Sequence, residues 1–391
     1  MNNAVALPLS GLRVVALEQA VAAPFCSRPL ADMGADVIKV ERPNGGDPAR
    51  SYDSAIRGQS AYFAWLNRGK RSVALDLSFA PARAAFAQLL ERADVFVHNL
   101  APGAVERLGF GFDALHPTHP RLIWCGISGY GPDGPRRDSK AYDMLVQAES
   151  GVVALTGSPN APAKVGISIA DISAGLYAYS SILTALIQRS ATGKGDRIDI
   201  SMLECLTEWV SPPLYVWHGT GQAPARAGVR HNMIVPYGAY ACADDAVMFA
   251  IQNAAEWRRF CDVVMQQPGL TDDARFNTNA ARLTNRDQLE ALIEERFRQY
   301  TRAQVMAWLT AADIATANVN DVPAVATHAQ LAARGRWTTA SSPSGDIPAL
   351  IPPHNLKSAP PRIGAVPALG EHTDEVLAEL GLTLDHQQAS P

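Results

Sequence analysis

The chain has 391 residues, 47% of them hydrophobic and 18% charged, with a formal net charge of −4. That balance excludes the broad positive field a nucleic-acid binder needs. No unbroken apolar run approaches the ~20 residues required to cross a bilayer, and the length favours two domains over a single core.

In chain order, Leu12 to Leu17 is a short apolar run that reads as a strand. Pro24 to Met33 reads as a helix that Gly34 breaks, and Asp36 to Val40 is again strand-like. Arg71 to Leu77 alternates as a strand should, Pro81 to Glu91 is helical, and Asp94 to His98 and Leu122 to Ile127 add two strands. A helical run from Leu176 to Gln188 ends on Ala191-Thr192-Gly193-Lys194-Gly195, a glycine stop, and Arg197 to Met202 is one more strand. Strands that alternate with helices imply an α/β fold with a mostly parallel sheet, because parallel neighbours need crossover helices.

Composition shifts after about residue 204. Trp209, Pro212, Pro213, Trp217, Gly219 and Gly221 suggest an irregular linker over 201–225. A smaller α+β domain is expected over 226–325, with a strand at Val247 to Ile251 and helices at Ala254–Gln266, Asp287–Tyr300 and Arg302–Ala312. Ala340 to Pro367 is rich in proline and serine and reads as a connector. Glu375 to Leu380 is an amphipathic turn. The large, Rossmann-like domain is then 1–200 with a return over 330–391. The five cysteines (Cys26, Cys125, Cys205, Cys242, Cys261) include no C-x-x-C pair, and the nine histidines no H-x-x-x-H spacing. Reduced thiols in a cytoplasm and no protein-held metal are expected. Met1 to Ser10 lacks a basic region and a long apolar core, so a secretory leader is not expected.

The chemistry concentrates at Val165-Gly166-Ile167-Ser168-Ile169-Ala170-Asp171. Asp171 stands immediately before the Leu176–Gln188 run, where unpaired N–H groups and the dipole would keep a carboxylate ionised and able to act as a nucleophile. An ordinary helix cap is the alternative. Two other motifs mislead. Gly129-Tyr130-Gly131-Pro132-Asp133-Gly134 matches G-x-G-x-x-G, but Pro132 and Pro135 bracket the third glycine and no helix follows, so a nicotinamide dinucleotide is rejected. Gly166-Ile167-Ser168-Ile169-Ala170 is a loosened nucleophile elbow without a placed acid and histidine.

Several blocks carry a family pattern. They are Pro8-Leu9-Ser10-Gly11-Leu12-Arg13-Val14-Val15, Leu30-Ala31-Asp32-Met33-Gly34-Ala35-Asp36-Val37-Ile38-Lys39-Val40-Glu41-Arg42-Pro43, Asn67-Arg68-Gly69-Lys70-Arg71-Ser72, Asn99-Leu100-Ala101-Pro102-Gly103-Ala104, Tyr142-Asp143, Gly166 to Asp171 and Leu369-Gly370-Glu371-His372-Thr373. In order and spacing the chain resembles the family III coenzyme A transferases, also called CaiB/BaiF proteins. Members of that family include formyl-CoA:oxalate and carnitine CoA-transferases.

The resemblance implies that Asp171 is the catalytic aspartate and becomes, in turn, a mixed anhydride and an aspartyl-CoA thioester. Asp143 is expected to orient it, with Tyr142 beside it. Backbone N–H donors for the oxyanion are expected at the helix start after Asp171 and in the loop Gln19 to Ala23, whose Ala20, Val21 and Ala22 are expected against the CoA. Arg42, Lys70, Arg71, Arg107 and Lys140 match positions near the nucleotide, and Asn99 and Leu100 a segment along it. CoA and acyl-CoA enter as substrate.

Val21 replaces the glutamine of the formyl-CoA enzyme. A segment from Arg226 to Tyr237 replaces its glycine-rich lid and looks like that of relatives handling C4 and C5 dicarboxylates. Arg226, Arg230 or His231 would meet a second carboxylate there. The resemblance also implies an interlocked homodimer, without nucleic acid or membrane as partners. The rival readings are an α-methylacyl-CoA racemase and a non-catalytic acyl-CoA binder. Racemases place a histidine where Tyr142 stands, and a tyrosine with pKa near ~10 is a poor base.

Overall fold

The computed structural model describes residues 6–383. The described residues divide into two compact units, one made of 6–150, 165–210 and 330–383, the other of 151–164 and 211–329.

In the first unit the elements are β1 (Arg13–Leu17), α1 (Ala22–Asp32), β2 (Asp36–Glu41), α2 (Ala61–Asn67), β3 (Arg71–Ala74), α3 (Ala80–Glu91), β4 (Val95–His98), β5 (Ile123–Ser128), α4 (Asp143–Glu149), α5 (Ile169–Thr192), β6 (Arg197–Ser201) and α6 (Met202–Trp209). The six strands form one sheet in the order β3-β2-β1-β4-β5-β6, every pair parallel. Its inner strands carry apolar residues on both faces because helices cover both, although β2 also buries Lys39. On one face Val15, Ile38, Val73, Phe96 and Trp124 pack with Phe86 and Leu89 of α3. On the other lie α1 and α5.

Strands are added outward from β1 to β2 and β3, and the chain then returns to the far side of β1 as β4. That reversal opens a crevice beyond the carboxyl ends of β1 and β4, the place where open α/β sheets bind ligands. At the opposite, amino-terminal edge Arg13, Asp36, Arg71, Glu375 and Glu379 form a chain of ion pairs. The outer side of β3 is covered by the return segment: His372 N–H donates to Ser72 O at 2.9 Å, and Ala74 N–H donates to Thr373 Oγ1 at 3.0 Å.

Helix α5 is long and apolar enough, by length and composition, to cross a membrane. The sequence had suggested no such segment, because polar residues such as Ser173, Ser180 and Thr184 interrupt every apolar run. Ala174, Gly175, Ala178 and Ile182 are buried on one face of the helix.

The second unit carries a three-stranded antiparallel sheet, β7 (Tyr237–Ala241), β8 (Ala246–Ala250) and β9 (Ala315–Ala317), with β8 central. Tyr240, Phe249, Phe260 and Phe297 build its core together with Trp257.

Three expectations change. The stretch 201–225 is largely helical rather than an irregular linker, as α6 and a helix Ser211–Thr220. Pro212 and Pro213 fall in the first turn of that helix, where a missing N–H breaks no bond. The helix expected over Ala254–Gln266 turns into a π-helix at Phe260–Met265. The proline-rich connector contains a strand, Ile347–Leu350, which pairs with Trp337–Ala340.

Candidate active site

Asp171 does not precede its helix. It is the third residue of α5, and the cap position belongs to Ser168, whose side chain makes no capping bond. The cap comes from elsewhere: Asp143 Oδ1 accepts from Ala170 N–H at 2.8 Å and from Asp171 N–H at 3.4 Å. Its Oδ2 accepts from Gln147 Nε2 at 2.7 Å. Gln147, fully buried, also donates to Ile167 O at 3.2 Å and accepts from Val165 N–H at 2.9 Å. One turn of α4 therefore fixes both the start of α5 and the loop before it. The sequence held one clue to Gln147, its position four residues after Asp143 on the same helix face.

The Asp171 carboxyl, half-buried, is pushed up to about 7, first by burial and then by the negative charge of Asp143. This reverses the expectation that the helix start would hold it ionised, since the N–H groups of that first turn face Asp143 instead.

Close packing directs Asp171 toward α1. Gly175 lies one turn further along the same face of α5. A Cβ there would sit 2.5 Å from Ala22 O and 2.9 Å from Phe25 Cβ. Only glycine allows this approach, which brings the starts of two helices to one place. Neither start is closed by its own side chain.

Around them lies a cavity of about 550 Å³, lined by 19–22 after β1, 99–102 after β4, Ile127, Ser128 and Gly129 at the end of β5, then 139–144, Ser168 and Asp171, with Tyr52, Tyr62 and Met202. It occupies the crevice at the switch point. Gly129 admits the 139–142 segment, because a Cβ there would overlap Ala141 Cβ at 2.1 Å. The Tyr52 phenol is raised, first by burial and then by the charges of Asp47 and Asp171. Lys140 is the cation among the described lining residues.

The structure brings Ala20, Val21, Ala22, Asn99, Leu100, Lys140, Tyr142, Asp143 and Asp171 together in this cavity. Arg42 follows β2, and Arg107 ends a short helix after β4; both are exposed. Lys70 and Arg71 do not line it. Lys70 is buried, 2.6 Å from Glu18 Oε1 and 3.0 Å from Asn67 Oδ1, and burial pushes its ammonium down to about 8. Arg71 belongs to the ion-pair chain at the other edge of the sheet.

Arg226, Arg230 and His231 lie in the second unit. Arg226 donates to the carbonyls of Ala154, Ser158 and Pro159. Arg230 pairs with Glu290 and Glu294. His231 Nδ1 accepts from the N–H groups of Met233 and Ile234 at 3.0 and 3.1 Å. The sequence reading missed Tyr52 and Tyr62, which lie between recognisable motifs, and also Gln147.

Comparison with known proteins places the chain in a family. The profile of CoA-transferase family III matches residues 9–373. The chain is 36% identical over 329 residues to the acetyl-CoA:oxalate CoA-transferase of Acetobacter aceti, covering 84% of each chain. It is 33% identical over 383 residues to the succinate–glutarate CoA-transferase of Agrobacterium fabrum, covering 95% of this chain and 96% of that one. A crystal structure of a CAIB/BAIF family protein from Brucella suis superposes with a TM-score of 0.83 at 34% identity, over 96% of this chain and 99% of the other. With the fold, the switch-point cavity and a match spanning nearly all its length, the chain belongs to CoA-transferase family III.

Proposed function

We propose that this enzyme moves CoA between a small dicarboxylic acyl-CoA and a free dicarboxylic acid, with Asp171 as the covalent relay. The observation that carries the reading is the half-buried carboxyl of Asp171, which shares the switch-point cavity with the uncapped start of α1. The Asp171 carboxylate attacks the thioester carbonyl, the carbon–sulfur bond breaks, and CoA thiolate leaves a mixed anhydride. The thiolate attacks the Asp171 carbonyl of that anhydride and releases the donor acid as its carboxylate. The acceptor carboxylate then attacks the aspartyl-CoA thioester, and thiolate is freed again. It attacks the acceptor's acyl carbonyl and returns Asp171 as a carboxylate. Each addition puts negative charge on a carbonyl oxygen, which the N–H groups of Val21 and Ala22 stabilise.

Arg42, Arg107 and Lys140 all follow carboxyl ends of strands and supply cations for the CoA phosphates. A dicarboxylate's second charge is taken by the hydroxyls of Tyr52, Tyr62 and Ser139, which line the cavity with Asp171. Arg226, Arg230 and His231 have partners of their own within their unit. Dicarboxylates are favoured because the relatives are named for oxalate, succinate and glutarate. The reading includes a homodimer: helix Ser211–Thr220 buries no residue and leaves Tyr215 77% and Trp217 51% exposed. It also includes a reducing, cytoplasmic setting, in keeping with five buried free thiols.

The test is turnover with succinyl-CoA and a labelled panel of oxalate, glutarate and mesaconate, quenched with hydroxylamine. Label should pass from acid to thioester, and a hydroxamate should form on Asp171. Asp171→Asn should lower kcat by on the order of 10⁴-fold or more, as loss of an attacking group does. A hydroxamate elsewhere, or exchange of only an α-hydrogen, refutes the reading.

A further inference from the structure

The stretch Gln19–Ala22 lines the same cavity as Asp171, and other elements grip it residue by residue. Asn99, at the end of β4, holds both sides of one residue's backbone: its Oδ1 accepts from Gln19 N–H at 2.9 Å and its Nδ2 donates to Gln19 O at 2.8 Å. Buried Asp47 accepts from Ala20 N–H at 2.9 Å, and is itself fixed by Ala49 N–H at 2.9 Å and by Lys39 Nζ at 2.8 Å. Between these grips Ala20 stands at φ 60°, a left-handed conformation that a residue with a Cβ rarely adopts. Directly after it, Val21 and Ala22 are buried, and no described hydrogen bond takes up their N–H groups. A strained residue, fixed on both sides and followed by unpaired buried donors, marks a loop built to present those donors.

We propose that Asn99 is a positioning residue for catalysis. Its carboxamide ties the end of β4 to the loop after β1 across the switch point, and so keeps the Val21 and Ala22 N–H groups aimed at the oxyanion that forms when Asp171 attacks. One acceptor site and one N–H of the amide are spent on Gln19, which fixes the plane of the side chain. This deepens the Asp171 reading and rests on it.

The test compares the full-length wild-type enzyme with Asn99→Ala and Asn99→Asp, in steady-state transfer from succinyl-CoA to glutarate, with hydroxylamine labelling of each. Asn99→Asp keeps the size and one acceptor but sets a carboxylate oxygen against Gln19 O. With Asp171 labelled in the wild type, kcat should fall on the order of 10–100-fold in both variants, as misplacement of reacting groups does. KM for succinyl-CoA should stay within about threefold, and Asn99→Asp should be the slower variant. A tenfold rise in KM at unchanged kcat would make Asn99 a nucleotide contact and overturn the proposal, as would unchanged kinetics. If wild-type label falls elsewhere than Asp171, the nucleophile assignment fails and this proposal falls with it. If it falls on Asp171 while the variants behave normally, only the role of Asn99 is lost.

Discussion

Asp171 works against its own surroundings. Burial, and after it the charge of Asp143, raise the carboxyl to about 7 from an ordinary 3.8. With Asp171 as the proposed nucleophile, which must be ionised to attack, kcat/KM should climb with pH along a limb near 7. Asp143→Asn removes the second cause yet keeps an oxygen for the Ala170 N–H, so the limb should move to lower pH; a pH–rate profile of the variant checks this. Linkage gives a second signature. The unfolded chain releases this proton near 3.8 and the folded chain holds it to about 7, so stability declines as pH rises across that window and is level above it. A neutral amide has no such cost. Asp171→Asn should therefore be more stable than the parent, by about 1–2 kcal/mol at pH 8 after solvent screening and by less at pH 5. Denaturant titrations at the two values measure it, and equal gains would remove Asp171 as the titrating group.

At the scale of elements, the α1–α5 contact at Gly175 sets the position of Asp171. Gly175→Ala puts a methyl where Ala22 O and Phe25 already stand, which should cost about 1–3 kcal/mol through overpacking. It should also lower kcat more than it raises KM, because the two helix starts part; thermal melts and steady-state kinetics report both.

The parallel sheet could be read from the sequence because its strands are short apolar runs set off by Gly34 and by helical periodicity. The capping of α5 could not, since Asp143 lies 27 residues from Ala170 and no local pattern links them. Tyr52 and Tyr62 stayed hidden for the same reason: their place in the cavity depends on how the chain after β2 folds back. Lys70 and Arg71 were legible as cations but not by location. Arg71 opens its strand in the sequence too, but only the parallel pairing of β3 with β2 shows that this end lies away from the site.

For the molecule as a whole, the sheet separates two populations of charge. Arg42, Arg107 and Lys140 sit beyond the carboxyl ends of strands, where the cavity is, and no ion pair engages them among the described residues. Arg13 and Arg71 are neutralised by acids at the other end. Arg42→Ala and Arg107→Ala should each raise KM for acyl-CoA by about 3–30-fold with kcat little changed, and added salt should shrink the difference. Arg71→Ala should leave KM within about twofold and lower the melting temperature instead. An unchanged KM in both of the first variants would take them out of the nucleotide site.

The cover over β3 has a consequence for how the protein is made. Ser72 leaves the ribosome 300 residues ahead of His372, whose ring nitrogen accepts its N–H. Through most of synthesis the outer flank of that strand is bare, offering the row of unmet amides and carbonyls on which one sheet recruits another. A nascent chain that stalls or is clipped upstream of Gly370 keeps that flank open, and its ready partner is the same strand of a sister chain on the same polysome.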